Sequence, residues 1–246
     1  MAWMIGVDVG GTFTDFFAFD DTDDRIVLHK VPSTPAQPAH AVIDGLRELT
    51  RQGVDLGAIT RLSHGTTVAT NALIQRRGGK VALVVTEGFR DLIEIGRQIR
   101  PKVFDLQADY PAPLTPRELR FEAAERITAD GSTVRALEPR GLGALVEQIG
   151  EAKPDACAVC LLFSFLNPAH EAMIRDALAT AFPDMYLSIS SEVQPEFREY
   201  ERLSTTVLNA YLQPVMDRYL GEFADGVAKA APKAALGINQ SSGGLM

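Results

Sequence analysis

Cysteine is scarce in this sequence, and positive charge is outnumbered by negative charge. Two cysteines in 246 residues are too few for a disulfide framework, which favours a reducing compartment. The 24 lysines and arginines face 32 aspartates and glutamates, giving a formal net charge of −8. The chain therefore lacks the basic field that nucleic-acid and anionic-membrane binders need, and we expect neither kind of partner.

Long apolar runs and targeting signals are also missing from the sequence. The longest apolar run, residues 156–166, contains Ser164 and is shorter than the ~18 residues of a membrane span. The N-terminal apolar run has no basic residue before it and reaches Asp8 within a few positions, so we expect no signal peptide. These absences predict a cytoplasmic protein.

The first thirty residues predict three short strands joined by tight turns. The apolar runs 3–9, 16–19 and 26–28 are separated by two glycines and by a polar stretch at 20–24. These connections are too short for crossover helices, which predicts an antiparallel β-meander. Beyond it, helices are predicted near 39–51, 139–149 and 169–182, and strands near 59–63, 80–85, 156–163 and 185–190. The pattern predicts an α/β fold with a mixed sheet and flanking helices.

The rest of the chain predicts an irregular excursion, a long helix and a new turn. Four prolines between residues 96 and 118 favour irregular structure there. Apolar residues recur every four positions between 203 and 223, which predicts a helix that Pro214 should kink or interrupt. Residues 238–246 resemble a strand that enters a Gly-rich turn. We therefore expect a truncated polypeptide.

The strongest chemical signal is Asp-Val-Gly-Gly-Thr-Phe-Thr-Asp at residues 8–15. Two adjacent glycines let backbone N–H groups approach a phosphate closely, and Thr12 and Thr14 add hydroxyl donors. Asp8, at the end of a strand, can hold Mg²⁺ through its water ligands. Asp15 can orient a hydroxyl or an attacking water. The alternative is a plain hairpin whose glycines serve only the turn.

Other familiar motifs fail or favour structural roles. Gly79-Lys80 is followed by valine, so there is no P-loop, and the glycines at 6, 10 and 11 do not form a dinucleotide-binding fingerprint. The two cysteines have C-x-x-C spacing but lie in an apolar strand pattern, which predicts buried thiols. Glu94 and Arg97 are spaced for a surface ion pair, and the charged cluster at 198–202 is typical of a solvated helix start or a domain-junction network.

The residues around His64 have two readings. They form His-Gly-Thr-Thr between a predicted strand and a predicted helix, where Thr66 or Thr67 can cap the helix and leave N–H groups for an anion. Asn71, one turn further along, can face the same space. The alternative is a helix cap with a buried, hydrogen-bonded histidine.

The strand–turn–strand opening resembles the first phosphate loop of the actin-like ATPase (ribonuclease H-like) fold. Within that superfamily the chain resembles the hydantoinase A/5-oxoprolinase family, which includes acetone carboxylase subunits. Five stretches carry the resemblance: residues 6–15, 64–73, 88–91 with 94–98, 167–171 and 198–211. Together they span nearly the whole chain. The resemblance implies a first hydantoinase domain at 1–190, and at 191–246 a linking helix with the start of a second domain.

The resemblance also implies ATP and Mg²⁺ as cofactors and ring opening of a cyclic amide, such as 5-oxoproline or a hydantoin, after phosphorylation of the amide oxygen. It implies cofactor contacts at Asp8, Gly10, Gly11, Thr12, Phe13 and Thr14, with the metal at Asp8, and substrate-side roles for Asp15, His64, Thr66 and Asn71. The implied partners are the substrate, the C-terminal half of the polypeptide that carries the second phosphate loop, and a second subunit or another copy. The alternatives are the ATP-using subunit of an acetone-type carboxylase, a small-molecule kinase and a nucleotide-dependent scaffold.

Overall fold

The computed structural model describes residues 2–34, 37–99, 101–105, 107–108 and 110–239. The Gly-rich turn predicted after residue 239 lies outside these residues. Within them the strands are β1 (Trp3–Val9), β2 (Phe13–Asp20), β3 (Arg25–Pro32), β4 (Ile59–Thr66), β5 (Val81–Thr86), β6 (Arg120–Ala123), β7 (Arg126–Ile127), β8 (Thr133–Arg135), β9 (Ala156–Cys160), β10 (Tyr186–Ile189) and β11 (Ala235–Ile238). The helices are α1 (Pro38–Arg51), α2 (Val68–Ile74), α3 (Leu92–Ile95), α4 (Pro139–Ala152), α5 (Ala169–Ala181), α6 (Ser190–Val193) and α7 (Glu199–Ala230).

The chain folds into two compact units that interleave along the sequence. Unit 1 comprises Met1–Arg77 and Val215–Met246, and unit 2 comprises Gly78–Pro214. The domain limits expected from the sequence, 1–190 and 191–246, follow chain order instead.

Unit 1 contains a five-stranded mixed sheet with the strand order β11-β4-β1-β2-β3. Strands β1, β2 and β3 form the predicted antiparallel meander, while β4 pairs parallel to β1 and β11 pairs parallel to β4. Alternate residues of β1 point into a core that includes Val42 and Leu46 of α1 and Phe223 of α7. The period-two pattern of the first strand therefore specifies which face of the sheet is buried.

The opposite face of this sheet remains open within the described residues of unit 1. Phe17 of β2 and Leu28 of β3 are directly paired across the two strands and are 46 % and 70 % exposed. Asp8 and Asp15 lie on the same face, where β1 and β2 approach their shared turn. The polar end of this open face is therefore where chemistry can take place.

Unit 2 contains a four-stranded parallel sheet with the order β10-β9-β5-β6, and a separate hairpin of β7 and β8. Every residue of β5 and β9 is buried, as expected for the central strands of a parallel sheet covered on both faces. From β5 the chain continues to β6, which lies on one side of β5. It later returns to form β9 on the other side of β5. This places a topological switch point between β5 and β9.

The two cysteines occupy the central strand β9, as the sequence predicts. Cys157 and Cys160 are free and buried, and burial raises the pKa of the two thiols to about 12 and about 11, respectively. They are therefore unreactive while unit 2 is folded. Since the chain has no other cysteine, the two thiols can report the unfolding of this unit.

Pro214 is expected to kink or interrupt the last helix, and the interruption is wrong, because α7 runs unbroken from Glu199 to Ala230. A proline inside a helix removes one N–H donor and leaves nearby carbonyl groups without their usual partners. Here the carbonyl of Tyr211 accepts a hydrogen bond from the Gly79 N–H at 2.9 Å. That outside donor helps to compensate for the helical hydrogen bonding that proline disrupts.

Candidate functional site

The Gly-rich turn between β1 and β2 is tight and fastened from outside. The Gly10 N–H donates to the carbonyl of Phe13 at 3.0 Å, and a Cβ atom on Gly10 would lie 3.1 Å from that same oxygen. Ser33, just after β3, donates from its hydroxyl to the Gly10 carbonyl at 2.8 Å and from its N–H to the Thr12 carbonyl at 2.9 Å. The turn is therefore held in one shape without using its outward-facing donors.

Two outward-facing N–H groups of the Gly-rich turn are suited to binding a phosphate. Within the described part of the chain, the N–H groups of Gly11 and Thr12 have no acceptor, and both residues are exposed. Asn71 lies against the turn, since a Cβ atom on Gly11 would be 3.4 Å from its Nδ2. The amide of Asn71 donates to Thr67, whose hydroxyl lies 3.3 Å from the Val9 carbonyl and donates to it. The structure thus brings Asn71 to the Gly-rich turn, a contact that the sequence did not predict, and its substrate-side role stays a prediction.

Asp8 and Asp15 face each other across β1 and β2, yet their charges are not equivalent. Asp15 forms an ion pair with Lys30 of β3 at 2.8 Å, whereas Asp8 has no hydrogen-bond or ion-pair partner among the described residues. Gly65 of β4 lies beside Asp8, and a Cβ atom there would be 3.5 Å from Oδ1. An exposed carboxylate with no partner, on the strand that enters a turn with free N–H groups, fits a hydrated Mg²⁺ ion that carries phosphate.

A cavity of about 720 Å³ lies over this part of the sheet. Asp8, Asp15, Lys30 and Gly65 line it, together with apolar residues of β2 and β3. A second cavity of about 320 Å³ is lined by Gly10, Gly11 and Asn71, among others. The turn therefore has space for ligand on both sides.

The remaining residues of the turn differ in accessibility. Thr14 is fully buried, and its hydroxyl lies 3.0 Å from the Ser33 hydroxyl, which it supports. Its contact with phosphate stays a prediction. Phe13 is 46 % exposed, with the Lys30 ammonium 5.1 Å from its ring centroid. The Thr66 hydroxyl accepts the Val68 N–H at 3.1 Å, just before α2, whose N-cap residue is Thr67.

His64 lies in the core of unit 1, on the face of β4 opposite the open side. It is fully buried, with Nε2 at 2.6 Å from the Tyr219 hydroxyl and its ring centroid 4.4 Å from that of the tilted Phe223 ring. Burial lowers the pKa of His64 to about 4, an effect that the Val7 backbone partly offsets. His64 has no exposed surface for a substrate, so the structure favours the alternative of a buried, hydrogen-bonded histidine.

We expect unit 1 to lose stability as the pH falls from 6.5 towards 4. Because the pKa of His64 is lower in the folded chain, the unfolded chain binds the proton first. The stability that neutral His64 contributes is fully present above pH 6.5, the ordinary pKa of histidine. It is lost progressively as the pH falls to about 4. The loss should reach about 3 kcal/mol, since one pKa unit corresponds to about 1.4 kcal/mol.

Urea unfolding followed by the fluorescence of Trp3 measures this effect, because Trp3 is the only tryptophan and is buried in β1. The variant His64→Gln keeps a polar side chain that does not titrate, so its profile over this range should be flatter. His40→Gln changes an exposed histidine of α1 and is the matched control. Equal pH slopes for His64→Gln and the unmodified chain would contradict the assignment.

The prediction of a surface ion pair between Glu94 and Arg97 is wrong. Arg97 instead forms a two-pronged pair with Glu201 of α7 at 2.8 and 2.6 Å, and Glu94 accepts from the buried Arg120 at 2.6 Å. Gly96, with a φ of 54°, turns the chain between them and lies against the Tyr200 ring. The turn redirects Arg97 away from Glu94, so the stretches 94–98 and 198–202 meet within unit 2.

Ser33, Lys30 and Tyr219 are site residues that the sequence reasoning missed. Lys30 could have been found by counting the meander register, since it pairs directly with Asp15. Ser33 follows β3 and carries no motif of its own. Tyr219 is 155 residues from His64, and nothing local signals that contact.

Comparison with known proteins agrees with these features. Residues 4–182 match the sequence profile of the hydantoinase/oxoprolinase N-terminal region, and residues 202–246 match a second hydantoinase/oxoprolinase profile. The chain belongs to the hydantoinase/oxoprolinase family. The resemblance drawn from the five sequence stretches is thereby confirmed.

Three relatives extend this assignment of the hydantoinase/oxoprolinase chain. The ATP-dependent caprolactamase of Pseudomonas jessenii superposes with a TM-score of 0.88 at 35 % identity, over 98 % of this chain and 36 % of that one. Acetone carboxylase, solved free of nucleotide, also superposes with a TM-score of 0.88. Its sequence is 25 % identical, over 99 % of this chain and 36 % of that one. 5-Oxoprolinase 1 of Arabidopsis thaliana is 32 % identical over 97 % of this chain and 21 % of its own length.

The hydantoinase/oxoprolinase chain thus spans about a third or less of these relatives. The α/β fold with a mixed sheet is confirmed by the two superpositions. In the described parts of the chain, no helix is long and apolar enough to cross a membrane. The same residues contain no group of three or more histidine, cysteine, aspartate or glutamate side chains that could cage a metal ion. A cation at Asp8 would therefore depend on water and phosphate ligands.

Proposed function

We propose that this chain supplies the first phosphate-binding half of the ATP site in an ATP-dependent hydrolase of cyclic amides. The observation that carries the proposal is the unpaired Asp8 carboxylate on the strand that enters a fastened Gly-rich turn, in which the N–H groups of two residues are free. Family membership supports it, because the relatives include a caprolactamase and a 5-oxoprolinase. Since the chain spans only part of those proteins, the activity of the whole protein belongs to the proposal.

Each residue of the turn has a separate task in this proposal. Asp8 holds Mg²⁺ through water, while the N–H groups of Gly11 and Thr12 bind phosphate oxygens and fix their position. When bound, ATP would supply the phosphoryl group that makes the amide carbonyl carbon electrophilic. The chain contributes by positioning and by neutralising charge, as is general in phosphoryl transfer.

Asp15 and Asn71 are the two substrate-side candidates with accessible polar groups. Asp15 is held by Lys30, so its carboxylate has a fixed direction and can orient a water or a substrate N–H. Asn71 presents an amide on the other side of the turn, at the wall of the smaller cavity. Thr66 and His64 have other contacts: Thr66 accepts a hydrogen bond from the Val68 N–H, and His64 lies in the core.

A carboxylase subunit is the second candidate function, and one observation favours it. Acetone carboxylase superposes on this chain with the same TM-score as caprolactamase, 0.88. Both reactions are described as ATP-dependent, so the half-site would serve either. We further propose a cytoplasmic protein whose remaining polypeptide and companion subunit complete the site.

The test is ADP release by the intact protein with Mg²⁺ and a panel of candidate substrates. The panel contains 5-oxoproline, caprolactam, a hydantoin, and acetone with bicarbonate, each against a control without substrate. Stimulation by a cyclic amide, with the ring-opened product formed in step with ADP, is the expected result. Stimulation only by acetone with bicarbonate would replace the proposal with the carboxylase. A stable phosphorylated product would identify a kinase, and ATP binding without turnover a scaffold.

A further inference from the structure

A cavity of about 290 Å³ lies wholly within unit 2, at the carboxyl end of its parallel sheet. Its wall includes Phe163 and Phe165, which follow β9, and Phe197 and Arg198, which precede α7. The neighbouring Leu162 N–H donates to the Thr86 hydroxyl at the end of β5, so the cavity borders the junction of β5 and β9. In α/β sheets, ligands bind at such a switch point.

Arg202 brings a buried positive charge to the cavity wall. The residue is 1 % exposed, and its guanidinium donates to the carbonyls of Leu161 at 2.5 Å and Glu196 at 3.1 Å. Its Nε has no hydrogen-bond partner, and no carboxylate of the described residues lies within ion-pairing distance. The buried Glu171 is bound to the Leu161 N–H instead. A buried charge is costly unless a counter-charge accompanies it.

Arg198 adds a second positive charge without a carboxylate partner at the same cavity. Among the described residues it forms no ion pair, and its guanidinium lies 5.3 Å from the centroid of the Phe197 ring. Its backbone φ is 75°, and that of Phe163 across the cavity is 56°, both in the left-handed region that non-glycine residues avoid. Strain of this kind gathers at binding sites, where the surrounding structure maintains it.

The charges at the cavity leave one positive charge in excess. Arg97 is neutralised by Glu201 through the two-pronged pair described above. Arg198 and Arg202 then face Glu199, the single acidic residue of the described cavity wall. The rings of Phe163, Phe165 and Phe197 provide an apolar, aromatic part of the cavity wall. A singly charged anion with a flat apolar body matches both the charge and the walls.

We propose that this cavity is a binding site for a small carboxylate anion with an apolar body. The exposed Arg198 binds the carboxylate of the ligand directly. The buried Arg202 adds a positive electrostatic potential at the cavity wall. The cavity volume is at the lower end of the range for small-molecule sites, about 300 to 1,000 Å³, so the ligand is compact. The site is independent of the turn at Asp8 and does not rest on the proposed ATP chemistry.

The test is a ¹⁹F NMR titration of the intact protein with 4-fluorobenzoate, and with 4-fluorobenzamide as the neutral match. We expect saturable binding of the benzoate and at least about tenfold weaker binding of the benzamide. Arg198→Asn removes the cation while placing at φ 75° a residue that tolerates that region. It should weaken benzoate binding at least about tenfold.

Arg140→Gln is the matched control, because Arg140 is an exposed arginine of α4 that does not line the cavity. It should bind benzoate like the unmodified protein. Protection of Cys157 and Cys160 from a thiol reagent verifies that each variant keeps unit 2 folded. The proposal is overturned if benzoate does not saturate, if benzamide binds as well, or if folded Arg198→Asn binds benzoate unchanged.

Discussion

Asp8→Asn should lower Mg²⁺-dependent ATP hydrolysis by the intact protein at least about 100-fold, the scale of losing a metal-positioning or charge-stabilising group. Asparagine has nearly the same shape, but it lacks the negative charge that holds a hydrated cation. Asp8 is exposed and has no partner among the described residues, so the change breaks no contact within them. The loss should therefore appear in turnover, while the urea unfolding of unit 1, followed by Trp3 fluorescence, stays nearly unchanged.

Two other variants make the Asp8 result specific. Asp15→Asn removes the carboxylate directly across the ladder, but that charge is already paired with Lys30, so a smaller loss is expected. Asp44→Asn alters an exposed aspartate of α1 and should leave turnover unchanged. Steady-state ADP release at several Mg²⁺ concentrations measures all three. Normal turnover by Asp8→Asn would remove Asp8 from the metal site and with it the proposed half-site.

Local features of unit 1 were predictable because local rules determine them. Alternating burial and short turns specify the meander, and the glycines at 10 and 11 mark the place where the chain must be tight. The same register pairs Asp8 with Asp15, which follows from counting outwards from the turn. The polar end of the open face was therefore accessible from sequence.

Contacts between distant segments were not predictable, because no local pattern encodes them. Tyr219 meets His64 across 155 residues and, together with Phe223, encloses the histidine in the core. Arg97 meets Glu201 across 104 residues, which overrides the local spacing of Glu94 and Arg97. The interleaving of the two units has the same origin, since the C-terminal part of α7 packs on a core begun by β1.

Glu171 organises the other unit, and Glu171→Ala should destabilise it by about 4 kcal/mol. The carboxylate is fully buried in the first turn of α5 and accepts three hydrogen bonds. Leu161 N–H and the Ser190 hydroxyl donate to one oxygen at 2.8 and 2.6 Å, and Ser191 N–H donates to the other at 2.8 Å. Alanine leaves the N–H groups of Leu161 and Ser191 unpaired, while the Ser190 hydroxyl keeps the Ser164 hydroxyl as a partner at 3.0 Å. Each buried unpaired group costs about 1 to 3 kcal/mol.

The two cysteines make this loss measurable in unit 2. Cys157 and Cys160 lie buried in β9, next to the segment that Glu171 holds, so the rate of thiol labelling in increasing urea follows the opening of this sheet. Glu171→Ala should shift the labelling midpoint to markedly lower urea, while Glu171→Gln, which keeps the shape and one acceptor oxygen, should shift it about half as far. The exposed Glu147→Ala on α4 is the matched control.

The Gln variant separates the charge of Glu171 from its shape. If hydrogen bonding to Leu161 and Ser190 is what stabilises the ends of β9 and β10, one acceptor oxygen should recover part of the loss. If the negative charge itself, rather than the number of acceptor oxygens, stabilises the unit, the Gln and Ala variants should be equally destabilised. Labelling midpoints of both variants that match the Glu147→Ala control would show that the buried carboxylate does not stabilise this unit.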